Sequence, residues 1–161
     1  MKILIVSDTH RQNGNLKKVL EKESPIDLMI HLGDAEGSEA LYHQWLARSA
    51  DLLMVKGNND FFSDLDSEKE VTLLGHRMLL THGHYYNVSL DTEMLRSEAE
   101  SRHCEVAMFG HTHKPCLAQE EGVLMLNPGS LSYPRQEGRR PTYMVMDLER
   151  GEKPRVALKQ L

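Results

Sequence analysis

The chain has 161 residues, 40% of them hydrophobic, and a formal net charge of −5 at pH 7. That length suits one compact domain spanning residues 1–161, with enough apolar material for a real core. The acidic balance argues against stable nucleic-acid binding, which needs a basic face to displace counterions from phosphates, and no stretch approaches the roughly 20 consecutive apolar residues of a membrane helix.

The N-terminus runs from a short apolar stretch straight into Asp8 without a small-residue cleavage site, so it reads as a first core strand and the chain as cytoplasmic. Lys2–Val6, Asp27–Leu32 and Leu52–Lys56 are short, rich in Ile and Leu, and bounded by polar turns, as expected for strands buried on both faces. Between them, Gly14–Lys22 and Glu36–Arg48 place Leu16, Val19 and Leu20, then Ala40, Leu41, Trp45 and Leu46, at helical spacing. Right-handed crossovers would make the three strands parallel. Glu70–Leu74 and Arg77–Thr81 flank Gly75-His76, a two-residue hairpin signal.

Ser89 or Asp91 can cap a helix running to about Arg102, with Leu90, Met94, Leu95 and Ala99 on one face. The strand Val106–Phe109 follows, and then Pro115–Ala118, Val123–Leu126, Thr142–Asp147 and Arg155–Lys159 between Gly and Pro turns. The expected fold class is therefore α/β, with two packed mixed sheets flanked by helices. Cys104 and Cys116 are too few for a disulfide framework and form no Cys-x-x-Cys pair.

Acid and histidine groups follow the apolar runs: Asp8-Thr9-His10, Gly33-Asp34, Gly57-Asn58-Asn59-Asp60, His82-Gly83-His84 and Gly110-His111-Thr112-His113. Side chains two apart in extended backbone point the same way, so Asp8 with His10, and His111 with His113, are each expected to grip one ion. Open α/β sheets bind ligands beyond the carboxyl ends of their strands, where all five groups would fall. Neutral imidazoles, carboxylates and an amide oxygen suit manganese, iron or zinc, and the lack of cysteine ligands disfavours a closed structural zinc site. Singly, each group has an ordinary explanation. Asp8 can be a turn former, Gly33-Asp34 simple turn chemistry and His82 a hydrogen-bonded histidine; the ordered set of five is what points to metal.

This set, continued by Asn127-Pro128-Gly129-Ser130, resembles the calcineurin-like metallophosphoesterase superfamily, and within it the small bacterial and archaeal phosphodiesterase branch. The resemblance implies a four-layer α/β/β/α sandwich, in agreement with the strand count. It implies two divalent metal ions, manganese foremost and iron, zinc, nickel or magnesium as alternatives. One would be held by Asp8, His10 and His113, the second by Asn58, His82 and His111, with Asp34 bridging them. The implied reaction is hydrolysis of a small phosphoester, a diester foremost, by a bridging hydroxide attacking phosphorus in line.

Related phosphatases carry a histidine where this chain has Asn59. General-acid help is worth about 10²–10⁴ in rate, so aryl or activated esters should turn over better than alkyl ones. Asn59 can still hydrogen-bond a phosphoryl oxygen, while His84 can contact substrate, donate a proton or support a ligand. Asp60 is expected to hold the turn or a ligand and Asn127 to fix a ligand histidine; Arg135 can meet phosphate, but the reading preferred is a solvated arginine beside Arg139 and Arg140. His31, His43, His76 and His103 have no partner motif and are left outside the site. Two alternatives stay open: a protein-binding scaffold, like a eukaryotic trafficking-coat subunit similar to this fold, and a phosphomonoesterase or phosphoprotein phosphatase. A homo-oligomer through a sheet edge is open too.

Overall fold

The computed structural model describes residues 1–46 and 49–161. Strands β1 (Lys2–Val6), β2 (Leu28–His31) and β3 (Asp51–Met54) alternate with helices α1 (Gly14–Glu23) and α2 (Glu39–Leu46). They pair in parallel, Ile3 opposite Leu28 and Leu28 opposite Asp51. After them come β4 (Glu68–Leu73), β5 (His76–Thr81), α3 (Glu93–Ser101), β6 (Val106–Met108), β7 (Pro115–Glu120), β8 (Val123–Pro128), β9 (Thr142–Asp147) and β10 (Arg155–Gln160). One five-stranded sheet has the order β10-β9-β1-β2-β3, the other β4-β5-β6-β8-β7. In the second, β5, β6 and β8 run parallel while β4 and β7 close the edges antiparallel. No described helix is long and apolar enough to cross a membrane.

Strand alternation sorts the core into layers. Ile3, Ile5, Leu28, Ile30, Met144 and Met146 face the other sheet and meet Met78, Leu80, Val106, Met108 and Leu126. Leu4, Val6, Met29, Tyr143 and Val145, one residue out of phase, face Leu16, Val19 and Leu20 of α1 and Tyr42 and Leu46 of α2. On the far side, Leu79, Ala107 and Met125 pack on Leu95 and Ala99 of α3. The result is the expected α/β/β/α sandwich. Methionine is well placed in the inter-sheet layer, because its unbranched thioether fills the irregular gap between two twisted surfaces.

Local differences from the expected elements have identifiable causes. The first hairpin turns on Leu74-Gly75, both at positive φ (51° and 97°), with Leu73 opposite His76. His76 instead opens β5, where Nδ1 meets Glu105 Oε1 at 2.6 Å. Helix α2 starts at Glu39 rather than Glu36, because Glu36 is held at φ 52° with its N–H donated to Asp60. Its inner face is Tyr42 and Leu46, and Ala40 is exposed; Ala47 and Arg48 lie outside the described residues. In α3 only Leu95 and Ala99 are buried, while Leu90, which precedes the helix, and Met94 are exposed.

Candidate metal centre

The chain's acid and histidine groups converge because β1, β2 and β3 of one sheet and β5 and β6 of the other end at the same edge of the sandwich. Asp8 follows β1, Asp34 follows β2, Asn58 follows β3, His82 follows β5 directly and His111 follows β6. The backbone there is not extended, so the expected two-residue alternation is not what aims the side chains. Asp8 (φ 56°), His10 (φ 44°), Asp34 (φ 59°), His111 (φ 66°) and His113 (φ 58°) all occupy the left-handed region, which non-glycine residues rarely adopt and which gathers at functional sites. Each strand end curls sharply, turning the following donors inward over the sheet edge.

Two groups of donors result, Asp8 with His10 and His113, and Asp8 with Asp34 and His82, the donor atoms in each lying within 4.8 Å of one another. The imidazole tautomers decide what these atoms want. His113 Nδ1 donates to the Tyr133 carbonyl at 2.7 Å and His82 Nδ1 to the Leu32 carbonyl at 2.6 Å, so in the neutral rings both Nε2 atoms are bare lone pairs. His10 Nδ1 is likewise tied to Glu36 Oε1 at 2.6 Å. Yet His113 Nε2 faces His10 Nε2 at 3.3 Å and Asp8 Oδ1 at 3.1 Å. His82 Nε2 faces Asn58 Oδ1 at 3.1 Å and Asp34 Oδ2 at 3.5 Å. Asp8 Oδ1 is buried and accepts no hydrogen bond. With neutral rings, lone pairs crowd lone pairs, an arrangement that repels itself unless a proton, as on His82, or a metal cation lies among them. The donor set therefore fits divalent metal, and each anchored Nδ1–H is the outer hydrogen bond that orients a metal-binding imidazole.

The electrostatics agree. Burial works against the Asp8 and Asp34 anions, but His113 and His82 outweigh it at Asp8, and His82 with Asn59 at Asp34, so both carboxyls sit below their ordinary values and are ionised at neutral pH. Burial also opposes the His82 cation, yet Asp34 and Asp8 push its pKa up to about 9. The pocket draws in positive charge. His111 and His84 are pulled down by burial first and by neighbouring histidines second.

The supports around these donors are equally specific. The buried Asp60 carboxylate accepts the backbone N–H groups of Asp34 and Gly57 through Oδ2, each at 2.7 Å, and that of Glu36 through Oδ1 at 2.6 Å. This fastens the β2 and β3 ends together, the turn-holding role expected of Asp60. A Cβ on Gly57 would lie 2.1 Å from Asp34 Oδ1, and one on Gly110 2.0 Å from Ser7 Oγ, so only glycine allows the strand ends to approach. Asn127 Nδ2 donates to Gly110 O at 2.9 Å and Thr112 Oγ1 at 3.0 Å, holding the loop of His111 and His113. Asn59 does not face open space: its N–H and Nδ2 both donate to the Asp34 carboxylate, at 2.8 and 2.6 Å. The His84 ring lies 5.5 Å from that of His82 and 6.1 Å from that of His111, with Nδ1 buried and unpartnered.

Sequence reasoning passed over two supports. Buried His31, its pKa pulled down to about 4 by burial, is neutral and carries a directional chain. Gly33 N–H donates to its Nδ1, its Nε2 to Thr9 Oγ1, Thr9 to Tyr42 Oη and Tyr42 to Asn13. Its signal was a polar residue inside the apolar run 28–32, since a buried polar group requires partners. Glu36, partner of His10, had no signal beyond lying two residues after Asp34.

The calcineurin-like phosphoesterase superfamily domain matches residues 1–151. The chain belongs to that superfamily. Among curated members, the probable metallophosphoesterase YsnB of Bacillus subtilis is 35% identical over 150 residues, covering 92% of this chain and 85% of YsnB. Phosphodiesterase YfcE of Escherichia coli is 29% identical, covering 91% and 88%. A Streptococcus pneumoniae crystal structure described as a predicted phosphoesterase superposes with TM-score 0.83 at 25% identity, over 99% of this chain and 88% of that one. Zinc-bound Vps29 of Entamoeba histolytica superposes with TM-score 0.77 over 99% of both chains at 20% identity, a likeness of fold alone.

Proposed function

We propose that this protein is a dinuclear metal-dependent phosphoesterase acting mainly on phosphodiesters. The observation that carries this reading is the convergence of histidine and aspartate donor atoms, the buried and unpartnered Asp8 Oδ1 among them, in two groups whose atoms lie within 4.8 Å of one another. Relatives named as phosphodiesterases support the diester. Asp8, His10 and His113 would hold one ion, Asn58, His82 and His111 the other, and Asp34 would serve both; manganese is the first choice, with iron, zinc, nickel or magnesium as alternatives. When bound, such ions acidify water and polarise phosphoryl oxygens.

The chain's own residues supply placement. Asn59 locks both Asp34 oxygens in one orientation, leaving their remaining lone pairs free, and the Glu36, Leu32 and Tyr133 acceptors keep three imidazoles in the tautomer that presents Nε2. His84, beside His82 and His111, is assigned the proton delivered to the leaving oxygen from its imidazolium form, which burial and the neighbouring histidines make a stronger acid than a free imidazolium. Phenolates leave without that proton and alkoxides do not. The His84→Ala variant should therefore lose more activity on alkyl than on aryl esters, and equal losses would remove His84 from this role.

The test of the whole reading is hydrolysis of bis(p-nitrophenyl) phosphate and p-nitrophenyl phosphate by metal-stripped protein with Mn²⁺, Fe²⁺, Zn²⁺, Ni²⁺ or Mg²⁺ restored, beside an Asp34→Asn control. Metal-dependent release from the diester, lost in the control, is expected. Faster release from the monoester would make it a phosphomonoesterase, and no turnover with any metal would favour the scaffold reading.

A further inference from the structure

Beside the metal-ligand cluster lies a cavity of about 840 Å³ bordered by His10, His113, Tyr133, Pro134, Arg135 and Arg139. Arg11, Arg77, Arg96, Arg102 and Arg155 have carboxylate partners, whereas the exposed Arg135 and Arg139, like Arg140 and Arg150 elsewhere on the surface, have none among the described residues, and only these two line this cavity. Glu36, the acid on the same cavity, is already engaged by His10 Nδ1 at 2.6 Å. Two unpaired guanidinium groups thus share one concave space with the edge of the metal-ligand cluster.

These arginines sit on a segment tied to the site rather than on a free loop. Arg135 N–H donates to the His113 carbonyl at 3.0 Å, and His113 Nδ1 returns a bond to the Tyr133 carbonyl at 2.7 Å. Ser130 Oγ accepts from the N–H groups of Ser132 and Tyr133 and donates to the Asp8 carbonyl. Arg139 is held at φ 44°, a conformation that disfavours any side chain, in a turn closed by its own N–H to Gln136 O at 3.0 Å and by Gln136 Nε2 to Arg140 O. Strained backbone of this kind persists where the surroundings over-determine it, often at ligand clamps. The half-exposed Tyr133 ring stands edge-on to His10, with centroids 5.4 Å apart, giving the cavity an apolar wall between its cations and the cluster.

We propose that Arg135 and Arg139 form a subsite for a second phosphate on the substrate, so that the preferred ester carries a terminal phosphomonoester in addition to the scissile group. This rests on the phosphoesterase reading above. Guanidinium groups match the geometry of phosphate oxygens. A phosphomonoester carries about −1.5 to −2 charge at neutral pH, which answers two arginines where a carboxylate would answer one. Tyr133 and Pro134 would line the group connecting the two phosphates.

The test compares thymidine 5′-(p-nitrophenyl phosphate) with its 3′-phosphorylated form, two esters with the same scissile bond and leaving group, on protein with Mn²⁺ restored. The expected result is a kcat/KM at least about tenfold higher for the phosphorylated ester. That ratio should fall in Arg135→Ala and in Arg139→Ala and approach one in the double variant. Equal kcat/KM in the unaltered protein, or a preference surviving in the double variant, overturns the subsite and leaves the phosphoesterase reading standing. Hydrolysis of neither ester is a failure of the phosphoesterase reading. Calorimetry in EDTA then decides the subsite separately: it stands if thymidine 3′,5′-bisphosphate binds more tightly than thymidine 5′-monophosphate and the difference is lost in the double variant. Equal or undetectable binding of the two overturns it.

Discussion

The two halves of the candidate centre differ in how firmly they are built. Around Asp8, His10 and His113 every donor is constrained: the carboxylate is fully buried, and both imidazoles are anchored through Nδ1, one by Glu36 and one by the Tyr133 carbonyl. Around Asn58, His82 and His111 only His82 is locked in this way, by the Leu32 carbonyl. Asn58 is exposed, and its single oxygen is approached by His82 Nε2 at 3.1 Å and His111 Nδ1 at 2.8 Å. In the proposed ligand set both halves share Asp34 and the first adds Asp8, which also lies 3.9 Å from His82 Nε2. Donors that are pre-oriented and charged bind metal more tightly than neutral ones that must be ordered on binding. The first half should therefore fill first, and the second should be the half that exchanges with solvent.

The largest effect is expected where the halves meet. Asp34→Asn removes the shared charge and should lower hydrolysis of bis(p-nitrophenyl) phosphate by about 10³-fold or more, with fewer than two metal ions per chain by elemental analysis; retention of both ions would separate the halves entirely. Gly57→Ala pushes a methyl group against Asp34 Oδ1. A displacement of about 1 Å can cost about 10²-fold in rate, so steady-state assays should show a loss of that order with the fold intact by circular dichroism.

Glu36→Gln distinguishes the halves, because its carboxylate touches His10 and the exposed Arg11 but no donor of the second half. Metal affinity of the first half should fall about 10–100-fold, and that of the second should be unchanged in a calorimetric titration. A uniform loss across both would contradict the contrast drawn above. The smallest effect belongs outside both halves, at the buried Glu23 that meets Lys159, Tyr143 and Lys2. Burial raises this carboxyl's pKa, but those three partners outweigh it and hold it below the ordinary 4.5. Its contribution is thus complete above the unfolded-state value and lost as the pH falls through the folded-state value. Glu23→Gln should cost about 1–3 kcal/mol at pH 7 and should flatten the decline of thermal stability on acidification below pH 4.5.

The contrast between the halves was invisible in the sequence, although the donors were legible in it. Asp8-x-His10 and His111-x-His113 read as equivalent motifs, because order and spacing report which residues arrive at an edge and not what grips them there. The layers were legible for a simple reason: runs such as Ile3-Leu4-Ile5-Val6 are buried on both faces, and that is a property of composition. What escaped depends on contacts distant in the chain. Asp60 reaches back to the N–H of Glu36 and delays α2, and the carbonyls of Leu32 and Tyr133 select histidine tautomers from 50 and 20 residues away. His31 was discounted for want of a motif, yet its hydrogen-bond chain runs beneath the loops that carry Asp8 and Asp34.

The most direct test is to titrate metal-stripped protein with Mn²⁺ by calorimetry while following release of p-nitrophenolate from bis(p-nitrophenyl) phosphate. Two ions per chain are expected to bind in two phases, the first tight and without activity, with hydrolysis rising only as the second binds. Saturation of heat and activity together at one ion per chain, or two bound ions with no hydrolysis, would contradict it.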